Sequence, residues 1–275
     1  MNRLVPTCDR HALYEVAVQS VQWELDFLAR LYQRRNGREA RRFREDFCST
    51  AALATAWALR DPKNHAVAVD LDPEPLAWAR RHRLPFVPEA APRVRLVRAD
   101  VRRPRQPPVD VACALNFSWW VFHQRAQVLA YLKAARAGLR PGGLLVMDAF
   151  GGADAEKALI ERTRKARGRT PDGLPTPAFT YVWDQARVNA LDRRLLAYIH
   201  FELRDGRKLQ RAFVYDWRMW TLPELRELAA EAGFRDFEIY SEGWDTKRRR
   251  QTGKMHKRVS LDNADGWTAS CVLYR

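Results

Sequence analysis

Over its first half the chain alternates short apolar runs with stretches of helical periodicity. Val21, Leu25, Leu28 and Tyr32 fall at helical spacing and predict an amphipathic N-terminal helix ahead of the core. Ala66 to Val69 predicts a short buried strand that stops at Asp70, and Asp72-Pro73-Glu74 then offers an N-cap and a first-turn proline for a helix around Leu76 and Ala79. Residues 94–97 predict a second strand ending near Asp100, and Val109 to Leu115 a third, running into Asn116-Phe117-Ser118. A helix around Val128, Leu129 and Leu132 closes at Gly138, Pro141-Gly142-Gly143 turns the chain, and residues 144–150 predict a fourth strand. Apolar strands alternating with helices imply a doubly wound, mostly parallel α/β sheet covered on both faces. Polar residues recur just after the C-terminal strand ends, the edge at which open α/β sheets bind ligands.

After Gly151-Gly152 the period changes to two. Residues 179–188, 194–203 and 208–217 alternate, and Arg204-Asp205-Gly206-Arg207 between the last two carries a hairpin signal. This stretch predicts an antiparallel insertion following the fourth to fifth strand region. Thr221 to Glu224 forms a capping box for a helix through Leu225, Leu228 and Ala232 that ends at Gly233. Phe237 to Tyr240 and Ala269 to Tyr274 are expected as closing strands, with a basic cluster, residues 247–258, in the loop between them.

A chain of 275 residues, 47% hydrophobic, 11% aromatic and 29% charged, is long and apolar enough to bury a core. No apolar run nears the roughly 20 residues that span a bilayer, and no charged-then-apolar leader opens the chain, so a soluble cytoplasmic protein without a membrane partner is expected. Cys8, Cys48, Cys113 and Cys271 show neither CxxC pairing nor metal spacing, which predicts reduced thiols and no metal site. The net charge of +15 raises a nucleic-acid partner as an alternative, although the basic residues are mostly arginine and scattered; only residues 247–258 are dense.

The stretch REDFCSTAALATAW, residues 44–57, reads as a strand-to-helix turn that would carry a cofactor, yet it lacks glycine. Such a loop needs close backbone approach and a helix start whose free N–H groups face an anion. Cys48-Ser49-Thr50-Ala51-Ala52 offers small side chains instead, and Ser49 or Thr50 can cap the helix. Asp70 lies 24 residues beyond Asp46, near the spacing of a ribose-binding acid, and Asp100 ends the next strand. Each acid has a plainer reading as a helix cap.

The order EDFCSTA, AVAVDLDPEPLAWAR, VRADV, ALNFS and LRPGGLLVMDAFGG resembles class I S-adenosylmethionine-dependent methyltransferases, closest to a branch whose loop reads E-D-F-C-G-T-A. The similarity runs from about Tyr14 to the C-terminus. It implies a Rossmann-like domain from residues 41–152 and 218–275, an N-terminal helical cover over 1–40 and an inserted substrate-binding subdomain over 153–217. It further implies that Glu45 or Asp46 holds the cofactor's ammonium, that Cys48, Ser49 and Thr50 pass under its carboxylate with Phe47 also among the cofactor contacts, and that Asp70 binds ribose, with Leu71 and Asp72 near the adenine. Asp100 and Val101 would frame the adenine, Asn116, Phe117 and Ser118 would line the sulfonium, and Tyr14 and Gln19 would cover the site. Two departures stand out: residues 41–44 are polar for a central strand, and Ser49 replaces the branch's remaining glycine, which would strain the loop by about 1 kcal/mol if φ there is positive.

Methyl transfer from sulfur is an in-line displacement that needs alignment, exclusion of water and, for some acceptors, a base. His200 is the first candidate base, ahead of His123, with Asp148 and Tyr181 as further catalytic candidates; Trp183, Tyr215 and Trp217 could wall a substrate pocket. Tyr181 and Trp183 share a strand face, as do Tyr198 and His200, and Tyr215 and Trp217. The expected activity is methylation of a small-molecule N, O or C acceptor. The alternatives are an RNA or protein methyltransferase using residues 247–258, and a binding module without catalysis; a homo-oligomer is also open.

Overall fold

The computed structural model describes residues 9–103, 106–171, 173–245 and 250–275. Two helices, α1 (Arg10–Val18) and α2 (Val21–Asn36), stand where a single amphipathic helix was expected. There follow β1 (Arg42–Asp46), α3 (Ala52–Arg60), β2 (His65–Asp70), α4 (Pro73–His82), β3 (Val94–Arg98), β4 (Val109–Ala114), α5 (Arg125–Ala137) and β5 (Leu139–Gly151). Next come β6 (Leu159–Lys165), a small β7 (Gly168–Arg169) and β8 (Pro175–Thr176), then β9 (Phe179–Asn189), β10 (Arg194–Leu203) and β11 (Lys208–Arg218). The chain closes with α6 (Leu222–Glu231), β12 (Asp236–Asp245), β13 (Arg250–Arg258) and β14 (Trp267–Tyr274).

The main sheet runs β13-β12-β14-β5-β4-β1-β2-β3. Its β3-β2-β1-β4-β5 portion is parallel, and β14, antiparallel to β5, begins the other edge. Alternation sorts the core: Phe43, Val111, Cys113 and Val146 face α2 and α3, whereas Ala112, Ala114, Leu145 and Met147 face α5 and α6. The chain runs outward from β1 to β3 and then returns to β4 on the other side of β1. A crevice therefore opens between the carboxyl ends of β1 and β4, the switch point where such sheets bind ligands. A second, antiparallel sheet, β11-β10-β9-β6, forms the insertion, and α1 packs on it through Leu13 and Tyr14.

Several sequence expectations change. Pro141-Gly142-Gly143 is a bulge inside β5, because Val109 pairs with Leu139 but Val111 with Leu144; Gly142 takes φ 75° there. Strand β6, with its run of charged residues, lacks an apolar alternation and was not anticipated. The basic cluster is not a loop throughout: residues 250–258 form edge strand β13, while 246–249 and Cys8 lie outside the described residues. The capping box at Thr221 and Glu224 and the Asp72 cap of α4 form as expected.

The polar strand β1 is buried after its first residue. Arg44 makes this possible by turning back on Asp46, Nε to Oδ1 at 2.9 Å and Nη2 to Oδ2 at 3.0 Å, and Tyr131 donates to the same carboxylate at 3.0 Å. Gly138 is required for space, since a Cβ there would lie 2.3 Å from Arg44 Nη1. Removing one partner of a buried pair strands the other's charge. Arg44→Ala is therefore expected to cost about 3–5 kcal/mol in urea unfolding, and Arg44→Met with Asp46→Leu to cost much less. An equally large loss in the double variant would show that packing, rather than charge pairing, sets the cost.

Candidate functional site

The turn after β1 winds through the left-handed region three times without a glycine, with φ 56° at Phe47, 47° at Ser49 and 58° at Ala51. Ser49 thus carries the strain anticipated for it. Cys48 N donates to Val69 O at 3.0 Å, and Ser49 N to Asp70 Oδ2 at 2.7 Å, which ties the turn to the end of β2. Phe47 packs edge-on against Phe122 and Tyr131, at 5.7 Å in each case.

Neither Ser49 nor Thr50 caps α3. Its N-cap is Ala51, without a side-chain bond, and the Glu45 carboxylate accepts from Ala54 N at 2.8 Å instead. Thr50 is committed elsewhere: its hydroxyl donates to Glu15 at 2.5 Å, and Arg83 Nε donates to its carbonyl at 2.8 Å. This buried cluster fastens α1 to the turn.

A second glycine-free turn follows β4. Asn116 and Phe117 have φ 56° and 58°, and their N–H groups both donate to Asp148, at 2.7 Å each. The Asp148 carboxylate is thereby occupied by backbone, and it lines neither cavity described below. Its expected role at the acceptor gives way to one of holding this turn.

Around the two turns lies a cleft of about 330 Å³. Tyr14, Gln19, Glu45, Asp46, Phe47, Ser49, Asp70, Asp72, Asn116 and Ser118 line it, together with Tyr215 and Trp217. The structure does not bring Cys48, Thr50, Leu71, Asp100 or Val101 to this lining. Cys48, Thr50 and Val101 are buried, Leu71 is turned outward, and Asp100 is paired by Arg102 Nη2 at 2.6 Å. Of the two acids at the end of β1, Asp46 is consumed by Arg44 and Tyr131, whereas Glu45 has a single protein donor. Asp70 accepts from Ser49 N and, at 2.9 Å, from Asp72 N, so its orientation is fixed.

An adjoining chamber of about 430 Å³ shares Tyr14, Asn116, Tyr215 and Trp217 with the cleft. Phe117, Tyr181 and Trp183 face it, as do Phe150, Trp267, Asp154, Glu161 and Gln185, which the sequence reading missed. Tyr215 and Trp217 lie 4.3 Å apart and Trp183 within 5.9 and 6.1 Å of them. Gly151 is needed here because the Trp267 ring passes 2.2 Å from where a Cβ would stand. Tyr14 and Tyr215 stand at the junction of the two spaces, and burial pushes Tyr14 up to about 12.

The candidate bases on histidine fall outside both cavities. Ile199 faces the chamber, so its neighbour His200 points to the opposite face of the insertion by strand alternation. There its Nδ1 accepts from Arg211 N at 3.0 Å and its Nε2 lies 3.3 Å from Asp184. His123 Nε2 bonds the Asp216 carbonyl at 2.7 Å. Among the described residues no group of three or more His, Cys, Asp or Glu could hold a metal ion, and no helix is long and apolar enough to cross a membrane.

Burial drives the site's acids toward their neutral forms. Glu45 is pushed up to about 8, Asp148 to about 7, and Glu24, on the first turn of α2, to about 7 by burial and by the Asp148 charge.

No family model and no curated protein matches the chain. Solved structures do. SAM-bound CalS10, an amino pentose methyltransferase from Micromonospora echinaspora involved in calicheamicin biosynthesis, is 21% identical, with a TM-score of 0.66 and all of both chains covered. An S-adenosylmethionine-dependent methyltransferase from Clostridium acetobutylicum is 14% identical, with a TM-score of 0.68 over 95% of this chain and 96% of that one. The sugar N-methyltransferase KedS8 from Streptoalloteichus is 17% identical, with a TM-score of 0.62 over 96% and 91%. At these identities the likeness establishes a shared Rossmann-like fold.

The raised acids make stability fall with pH. Glu24, Glu45 and Asp148 have folded pKa values above their unfolded ones, so the folded protein holds protons that the unfolded chain releases. Their contribution is complete below the unfolded value of about 4 and is lost as pH rises through about 7 to 8. Surface acids such as Asp100 and Glu231 are shifted down and add no slope in that range. Denaturant unfolding of the ligand-free protein should show stability declining from about pH 5 to about pH 8, with Glu45→Gln flattening the upper part. A rise over that window would contradict the assignment.

Proposed function

We propose that the chain is an S-adenosylmethionine-dependent methyltransferase whose acceptor is a small molecule bearing an amine. The observation that carries this reading is a switch-point cleft with ionisable acceptors on its polar side, continuous with an aromatic chamber. The donor fits that polar side. Asp70, held by two backbone N–H groups, keeps lone pairs for ribose hydroxyls. Glu45 keeps an oxygen for an ammonium, and the buried Gln19 Oε1 has no partner. When bound, S-adenosylmethionine supplies a methyl group on a positively charged sulfur.

Alignment is then the chain's main task. Tyr14, Asn116, Tyr215 and Trp217 border both spaces, so they frame the line along which a nucleophile in the chamber meets a methyl group in the cleft. The rings of Trp183, Tyr215, Trp217 and Trp267 exclude water and stabilise a cation by roughly 0.5–2 kcal/mol each. Asp154 and Glu161 add negative charge to the same chamber. An amine must shed its proton before its lone pair can attack, and Glu161 is the carboxylate in that lining able to take it, since Asp154 is paired with Lys157 Nζ at 2.6 Å. That CalS10 is an amino pentose methyltransferase and KedS8 a sugar N-methyltransferase supports nitrogen as the accepting atom. The reading replaces His200 by Glu161, moves Tyr181 from catalytic candidate to substrate contact, and keeps Trp183, Tyr215 and Trp217 as substrate contacts.

Two measurements test it. Asp70→Ala should weaken calorimetric binding of S-adenosylhomocysteine at least about tenfold; unchanged affinity removes the ribose assignment. Labelled methyl transfer to a panel of amino sugars and their hydroxyl counterparts should favour the amines, and Glu161→Gln should lower turnover most at acid pH. Preference for the hydroxyl compounds would overturn the amine reading, and absence of any binding of S-adenosylhomocysteine would overturn the enzyme.

A further inference from the structure

Gln185 on β9 is 2% exposed and lines the chamber beside Trp183. Its neighbours across the sheet, Leu159 on β6 and Ala197 on β10, are apolar, so its amide is satisfied elsewhere. It reaches out of the insertion into the short turn that follows β5. Nε2 donates there to three main-chain carbonyls, those of Asp154 at 2.9 Å, Ala155 at 3.1 Å and Lys157 at 2.5 Å. Oε1 accepts a longer bond from Trp183 Nε1, at 3.4 Å. An amide nitrogen carries two N–H groups, so the three carbonyls share them.

The turn leans in the other direction on the segment before β14. Asp154 N donates to the Asp265 carbonyl at 2.8 Å, and a Cβ at Gly152 would stand 2.4 Å from the Ala264 carbonyl oxygen. That segment leads into Gly266 and Trp267, which line the chamber as Trp183 does. One continuous run of contacts therefore joins Trp183, Gln185, the turn, Asp265 and Trp267. A second tie between turn and insertion, Glu156 to Arg193 at 2.7 Å, is exposed and adds little. Gln185 is the buried joint, and a buried carbonyl left without its donor is costly.

We propose that Gln185 is a positioning residue for the acceptor: it holds the turn and the Trp267 segment against Trp183, and so sets the width of the chamber and the amines it admits. The inference rests on the reading above, in that the chamber holds the acceptor. Gln185 does not line the cleft, so donor binding is independent of it. An amide suits a joint among carbonyls because it stays neutral. A carboxylate in its place would repel all three oxygens, whereas a carboxylic acid would still donate one bond. Burial among carbonyls raises a glutamic acid above its ordinary value of about 4.3. The charged groups nearby are Asp154, paired with Lys157, Glu156, paired with Arg193, and Glu161, across from Trp183 on β6.

Gln185→Glu therefore makes a joint that rising pH opens. In fluorotryptophan-labelled protein, the fluorine resonances of Trp183 and Trp267 are assigned with Trp183→Phe and Trp267→Phe. In Gln185→Glu they should shift or broaden at about pH 9 and return toward wild type at about pH 6. With the amino sugar that wild type methylates best, KM should exceed the wild-type value at least about tenfold at the higher pH and about threefold or less at the lower. Turnover should change little, and affinity for S-adenosylhomocysteine should not change. Taking the ratio to wild type at each pH removes the titration of the amine itself. Resonances that keep their wild-type positions, or a KM ratio equal at both pH values, would overturn the role. Should circular dichroism show Gln185→Glu unfolded, Gln185→Asn, which withdraws the amide by one methylene, takes its place. Displaced resonances and a raised KM are again expected, and wild-type behaviour again overturns the role. If wild type methylates no amine, the acceptor reading falls, and the fluorine resonances still decide whether Gln185 holds the chamber wall.

Discussion

Buried carboxylates that accept backbone N–H groups hold this fold's working parts in place. Asp70 holds Ser49, Asp148 holds Asn116 and Phe117, Glu45 holds Ala54, and Asp110 holds Arg41 and Arg42. Each bond pins a place where the chain leaves or enters the central strands. Left-handed backbone at Phe47, Ser49, Ala51, Asn116 and Phe117 would be disfavoured by about 1 kcal/mol or more per residue in an unsupported loop. Hydrogen bonds of about 0.5–1.5 kcal/mol each, stronger where the carboxyl group is ionised, are of the right size to offset that strain. Glycine is dispensable here because the turns are over-determined from below, and the side chains that glycine would forgo become useful. Phe47 anchors the first turn on Phe122 and Tyr131, and Phe117 walls the chamber.

The same device fixes the electrostatics. A site built on carboxylates at strand ends concentrates negative charge inside a protein whose formal charge is +15. The two need not conflict. Surface arginines are screened by salt within about 8 Å, whereas the cleft acids interact through protein. Many of those arginines also sit in local pairs, such as Arg194 with Asp216, Arg125 with Glu231 and Arg207 with Asp205. Net charge is therefore a poor guide to the character of the cleft, where carboxyl groups outnumber cationic side chains.

How much of this could be read from residues alone depended on whether local rules decided the outcome. The alternating strands and helices, the Asp72 and Thr221 caps and the Asp-Gly hairpin are local, and they appear where the sequence placed them. The acids ending β1 and β2 were legible for the same reason, since strand period and spacing put them at one edge. What failed was decided by tertiary partners. Arg44 looked too polar for a central strand because its counter-charge two residues away becomes visible only once both are buried. His200 was attractive for its chemistry, yet period two gives each residue of β10 one of two faces, and Ile199 rather than His200 took the one toward the chamber. Asp100 carried the strand-end signature but found Arg102 first.

The N-terminal corner then joins the two halves of the molecule. α1 lies on the inserted sheet through Leu13 and Tyr14, and it is latched to the turn after β1 through Glu15, Thr50 and Arg83. Tyr14 follows α1, so this residue, one of four bordering both cavities, is positioned by the insertion and the Rossmann-like sheet at once. A border residue tied to both sheets keeps the cleft and the chamber in register, which neither sheet could do alone. The insertion thus does more than border the chamber: through α1 it takes part in setting the geometry of the cleft.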